Sequence, residues 1–133
     1  MNRKLSRSFD ELKEIVALTD VFFKEHKINA DVRHTVDLCI EELFVNMVTY
    51  DTETDADILL EMTPHGKGIQ VSLTDFGVHR FDPRDAPAVD INAPLDERTP
   101  GGLGLYLVVK MVDSIHYEYQ DKTSKITFVV NGK

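Results

Sequence analysis

The sequence predicts an α+β fold, a two-layer sandwich with helices on one face of a mainly antiparallel sheet. Three observations carry this expectation. The first 50 residues hold two segments of 3.6-residue apolar period. Residues 56–75 and 114–130 each hold two strand-like runs meeting at a turn. Between those pairs, a glycine cluster opens a further apolar helix. With 133 residues and no repeat, low-complexity tract or linker, one domain over 1–133 is expected.

A short strand around residues 3–6 comes first. Ser8, followed three residues on by Glu11, reads as a capping box. Phe9, Leu12, Ile15, Val16, Thr19, Phe22 and Phe23 then keep the helical period to about His26. A second helix is expected after Asn29, to about Tyr50. Strands at 56–63 and 68–75 are joined by Pro64-His65-Gly66-Lys67. Residues 76–100 hold four of the five prolines and five acids with little periodicity, and an irregular stretch of that length suggests a lid or binding loop. Gly101-Gly102-Leu103-Gly104-Leu105 opens the third helix, which ends near Val112. Strands at 114–120 and 124–130 meet at Asp121-Lys122-Thr123.

Composition narrows the function. Apolar residues make up 42 % and charged residues 29 %, ordinary for a soluble globular chain. Fifteen Lys and Arg against 23 Asp and Glu leave a formal charge of −8. Nucleic-acid binding, which draws its affinity from phosphate neutralisation, is therefore not expected. An anionic membrane surface is disfavoured for the same reason. The lone Cys39 precludes an internal disulfide and fits a reducing cytosol. Residues 1–8 carry no apolar signal core and no run approaches a membrane span, so a cytoplasmic location is expected.

Three polar features sit inside apolar patterns. On the second helix Val32, Val36, Cys39, Ile40, Leu43, Phe44 and Met47 form one stripe, with Glu41 nearly opposite in solvent. Glu42 and Asn46, four apart, stack on the stripe's border, where they either close the edge of the core or reach across the domain. Asp75 shares the side of its strand with Val71 and Leu73, so an acid falls on the core face and needs donors. Those donors are either the turn at Phe76-Gly77 or a ligand amino group, with Gly77 admitting close approach. Gly101, Gly102 and Gly104 expose backbone N–H groups at a helix start, an anion site or a device for tight packing. Their spacing is neither a Walker A nor a dinucleotide fingerprint.

Taken in order, the Glu-x-x-x-Asn helix, the strand ending Asp-x-Gly, the long lid and Gly-Gly-x-Gly-Leu resemble the GHKL (Bergerat) ATP-binding fold of histidine kinases and gyrase-type ATPases. The lid stretch Phe81-Asp82-Pro83, the run from Ala93 through Leu105, and Lys110-Met111-Val112-Asp113 resemble the anti-sigma-factor serine kinases of bacterial partner-switching systems. The resemblance spans nearly the whole chain, with the lid at about 76–100.

This resemblance implies ATP and Mg²⁺ as cofactors. Asn46 matches the magnesium ligand, suited to an ion that prefers oxygen donors. Glu42 matches the general base that takes the proton from a serine hydroxyl. Asp75 matches the acceptor of the adenine amino group and Gly77 the glycine beneath the base. Gly101, Gly102 and Gly104, with Leu103 and Leu105 between and after them, match the phosphate loop. Arg98 matches a lid arginine on the terminal phosphate. Thr127 matches a hydroxyl near the adenine. Relatives often carry a basic residue shortly after the asparagine, where Thr49 and Tyr50 stand here. Arg80, Arg84 and Lys110 read as solvated surface charges.

The implied function is an ATP-dependent anti-sigma factor that phosphorylates a STAS-domain anti-anti-sigma partner on serine. A homodimer is also implied. The phosphate placed on that partner, about −1.5 to −2 charges, would repel this acidic chain and favour release. Two further readings stand beside it: a nucleotide-gated binding switch without phosphotransfer, and an interaction domain with a degenerate pocket.

Overall fold

A computed structural model describes residues 1–50, 54–78 and 102–132, with residues 50 and 102–106 described through their backbone alone. Its elements are β1 (Asn2–Leu5), α1 (Glu11–Glu25), a 3-10 turn (Ala30–Val32), α2 (Arg33–Tyr50), β2 (Ile58–His65), β3 (Gly68–Phe76), α3 (Gly102–Met111), β4 (Ser114–Gln120) and β5 (Thr123–Val130). The expected α+β class is what the chain adopts. Five strands form one antiparallel sheet in the order β1-β2-β3-β5-β4.

Alternation along the strands separates the two faces of the sheet. Leu5, Ile58, Leu60, Met62, Ile69, Val71, Leu73, Ile126, Phe128 and Val130 turn inward and form one core with the helices. The opposite face carries Glu61, Ser72, Lys125, Thr127, His116 and Glu118, including a long Lys125–Glu61 pair at 3.8 Å. From α2, Val36, Cys39, Ile40, Leu43, Phe44 and Met47 all enter the core and Glu41 is exposed, as the stripe predicted.

The start of α1 departs from expectation. Asp10 holds the cap position without a side-chain cap bond. The Ser8 hydroxyl accepts from Asp10 N at 3.2 Å, and Glu11 Oε2 accepts from Ser6 N at 3.0 Å. The capping box is therefore not formed: its two residues tie a turn N-terminal to the helix instead. Phe9 and Val16, placed in the apolar stripe by their spacing, are exposed at 55 % and 50 %. The helix rests on Ile15, Thr19, Phe22 and Phe23, a narrower face than periodicity alone suggests. It ends in a Schellman motif, with Ile28 N donating to Phe23 O at 2.9 Å, Lys27 N to Lys24 O at 3.4 Å, and Lys27 at φ 54°.

Arg33 then joins α1 to α2. Its guanidinium meets Asp37 on its own helix at 3.0 Å and Asp20 on α1 at 3.1 Å, donates to Val16 O at 2.9 Å, and lies 5.5 Å over the Phe23 ring. Asn29 caps the turn between the helices, its Oδ1 accepting from Asp31 N at 2.8 Å.

The β2–β3 turn is tighter than expected, because strand pairing runs to His65–Gly68 and leaves only Gly66 and Lys67 outside the ladder. The β4–β5 turn likewise leaves Asp121 and Lys122, at φ 52° and 60°, the double left-handed conformation of a type I′ hairpin.

Cys39 is fully buried, and burial, aided by the charge of Glu42, pushes its thiol up to about 12. It acts as a core residue, so a thiol reagent at neutral pH will leave the native protein unlabelled and label it stoichiometrically in denaturant. Rapid labelling of the folded chain would contradict this packing.

Candidate functional site

One buried carboxylate organises the end of the sheet. Asp75, the penultimate residue of β3, is 0 % exposed and shares the inward face with Val71 and Leu73. The Arg7 guanidinium, from the segment between β1 and α1, donates through Nη2 to Asp75 Oδ1. Arg7 also donates through Nε to Ala56 O at 2.9 Å and through Nη1 to Met47 O at 3.4 Å. It therefore ties β3 to the approach to β2 and to the C-terminal part of α2, where Met47 follows Asn46.

The second carboxylate oxygen, Asp75 Oδ2, is buried with no hydrogen-bond partner among the described residues. An orphaned buried acceptor costs about 1–3 kcal/mol, more when charged. Native proteins keep few of them, and each calls for an explanation. An open carboxylate oxygen of this kind has the chemistry to accept an N–H or O–H donor.

Gly77, two residues after Asp75, has φ 72°, a left-handed conformation, and a side chain there would also crowd Thr54 Oγ1 at 3.1 Å. That turn directs Val78 back to the sheet, where its N–H donates to Lys122 O at 2.9 Å and its carbonyl accepts from Tyr119 Oη at 2.8 Å. Glycine is thus required by the backbone, with the Thr54 side chain close beside it.

Across the ladder, Asp75 pairs with Ser124, which is buried on the same face. Thr127 needs correcting: it pairs with Ser72 on the opposite face, and the two hydroxyls bond to each other at 2.9 Å. An odd separation between positions 124 and 127 puts the two residues on opposite sides of β5. The structure therefore does not bring Thr127 to Asp75; the hydroxyl residue it places there is Ser124. Neither Ser124 nor Arg7 was legible as a site residue, because both meet Asp75 through pairing between distant segments.

Glu42 and Asn46 lie one turn apart on α2, both half-buried. Burial, and secondarily the neighbouring Glu41 charge, hold the Glu42 carboxyl above the usual carboxylate value. That direction suits a proton acceptor more than a plain surface acid. Gly102, Leu103, Gly104 and Leu105 form the first turn of α3, which lies beside α2. Free N–H groups at such a terminus are an anion-binding arrangement. Gly101, Arg98, Arg80, Arg84 and the lid beyond Val78 lie outside the described residues.

Among the described residues, no group of three or more His, Cys, Asp or Glu side chains is placed to hold a metal ion. Asn46 offers a single amide oxygen on α2, which by itself is too few donors for a divalent ion that takes about six oxygens or more. No helix of the described residues is long and apolar enough to cross a membrane.

Comparison with known proteins points the same way. The profile of a family described as histidine kinase-like ATPase domain matches residues 6–130. The crystal structure of the RsbU and RsbW domains of Rv1364c from Mycobacterium tuberculosis is similar, with a TM-score of 0.68 and 13 % identity, over 99 % of this chain and 31 % of that one. At that identity the likeness is one of fold, and this chain spans less than a third of that protein. No curated protein matches the sequence.

The raised Glu42 value carries a pH signature. A carboxyl that holds its proton more tightly in the fold contributes stability below the ordinary carboxylate range and loses it as pH rises through the raised value. Glu42→Gln, which never ionises, is therefore expected to gain in Tm relative to the parent as pH rises from about 4 toward neutrality. A Tm difference that stays flat across that range would contradict the raised value.

Proposed function

This chain belongs to the histidine kinase-like ATPase domain family, and from that membership we propose that it is an ATP-dependent serine kinase and anti-sigma factor, acting in the cytoplasm on a STAS-domain anti-anti-sigma partner. The observation that carries the nucleotide reading is the orphaned Asp75 Oδ2, a buried anionic acceptor beside a side-chain-free glycine turn. The serine-kinase reading is supported by the sequence of the lid and phosphate loop and by the fold likeness to a chain containing a domain named RsbW.

In this reading Asp75 Oδ2 accepts a hydrogen bond from the adenine amino group, and Gly77 lies under the base. Backbone N–H groups of Gly102, Leu103, Gly104 and Leu105, in the first turn of α3, are the phosphate donors, and Gly101 joins them by its match to the family's phosphate loop. The Asn46 amide oxygen would hold Mg²⁺, which would supply neutralisation of the phosphate charge. Glu42, held above the usual carboxylate value by burial, takes the proton from the partner's serine hydroxyl as its oxygen attacks the terminal phosphorus. Arg98 steadies the charge gathering on the transferred group. The phosphoserine so formed, repelled by a chain of net charge −8, leaves the complex.

Calorimetry with Mg-ATP and Mg-ADP tests the pocket directly. Micromolar binding is expected in the parent protein, weakened about tenfold or more in Asp75→Asn, the loss of one charge-assisted hydrogen bond. Absence of binding in the parent would remove the nucleotide reading altogether.

Phosphotransfer is tested separately with a purified STAS-domain partner and labelled ATP. Glu42→Ala is expected to bind Mg-ATP with near-parental affinity and to transfer no phosphate. Transfer that survives in Glu42→Ala would exclude Glu42 as the base, whereas binding without transfer in the parent would point to a nucleotide-gated switch.

A further inference from the structure

Arg7 has a role that its sequence context does not suggest. A guanidinium facing a carboxylate ordinarily closes on both oxygens in a two-pronged fork. Here the fork is broken. Nε is committed to Ala56 O and Nη1 to Met47 O, so only Nη2 reaches Asp75, and it takes Oδ1 alone. The Arg7 side chain is 10 % exposed and Asp75 is completely buried, so neither has room to rearrange toward the other. The oxygen left over, Oδ2, is the buried acceptor without a partner.

We propose that Arg7 is the positioning residue for purine recognition: by engaging Asp75 Oδ1 and two backbone carbonyls at once, it holds the carboxylate so that Oδ2 alone faces the ligand. This inference rests on the reading of Asp75 as the acceptor of the adenine amino group, and it assigns the specificity of that contact to a residue 68 positions away. One carboxylate oxygen aimed by a fixed cation accepts an amino N–H and repels a carbonyl oxygen. A purine with an oxo group at C6 is therefore rejected as long as the carboxylate is aimed. A freely turning Asp75 loses that discrimination, because the carboxylate can swing away from the C6 position and neither gain from an amino group nor repel an oxo group there.

The segment bearing Arg7 also joins β1 to α1, with Glu11 Oε2 accepting from Ser6 N just before it. The aim of the acceptor thus depends on how the N-terminal segment is seated, through a rigid planar group with no slack.

The test compares Mg-ATP with Mg-ITP, which differ at C6, by calorimetry in the parent, Arg7→Lys and Arg7→Met. Circular dichroism melts of each variant report folding independently. The parent is expected to prefer ATP by at least about tenfold, one charge-assisted hydrogen bond's worth. Arg7→Lys keeps the charge but cannot reach three acceptors from one ammonium. It is expected to fold, to hold ITP within about twofold of the parent, and to bind ATP about tenfold more weakly, so that the ATP/ITP ratio falls toward one. Arg7→Met is expected to show the same collapse wherever it remains folded, and Arg7→Lys decides the matter where it does not. A folded variant that keeps the parental ATP/ITP ratio, whatever its Tm, would make Arg7 a structural tie and overturn the proposal. A parent that binds both nucleotides equally would overturn it too, while leaving nucleotide binding intact. A parent that binds neither would remove the nucleotide reading itself, and the role of Arg7 with it.

Discussion

The Asp75–Arg7 pair is the constraint around which the rest of this structure is arranged. Withdrawing two opposite charges from water is costly, and their attraction repays it only when geometry is good and remaining donors are satisfied. Arg7 meets that condition by spending its donors on Asp75 Oδ1, Ala56 O and Met47 O. In doing so it fastens three segments at one end of the sheet: the end of β3, the chain entering β2, and the last turns of α2. Removing either partner leaves the other charge buried without compensation, so pair and local fold stand or fall together. What the pair does not satisfy is Oδ2. The ion pair is thus held in place with one acceptor of Asp75 left open among the described residues.

The two halves of the helical layer are held differently. Near the site, α2 is anchored through its backbone carbonyl at Met47. At the far end, Arg33 gathers Asp37, Asp20 and Val16 O over the Phe23 ring and fixes α1 against α2. Both arrangements use arginine because its planar group offers several donors in fixed directions. The Arg33 cluster satisfies its partners and is a tie between helices. The Arg7 cluster leaves one acceptor over, Asp75 Oδ2, and on that difference the proposed nucleotide contact rests.

Strand register then decides which side chains share the site. Asp75 stands opposite Ser124, and the period of two puts Thr127 on the other face of the sheet with Ser72. A hydroxyl three positions along β5 looks equivalent in sequence and lies on the opposite face of the sheet from Asp75. Gly77 follows two residues on: its left-handed turn sends Val78 to the β4–β5 hairpin.

By itself the sequence determined the elements and their order, the apolar stripe of α2 with Glu42 and Asn46 on its border, and the inward position of Asp75. All of these are local. They follow from the period of a helix or a strand, which is written within a dozen neighbouring residues. It misjudged the start of α1, where Ser8 and Glu11 have the spacing of a capping box but bond to the preceding turn, and where Phe9 and Val16 have helical phase but nothing above them to cover them. The tertiary structure alone decided that Arg7 meets Asp75 and that Ser124, rather than Thr127, stands across from it. Those meetings depend on strand register and on the packing of segments tens of residues apart, and no local period encodes which distant partner a side chain will face.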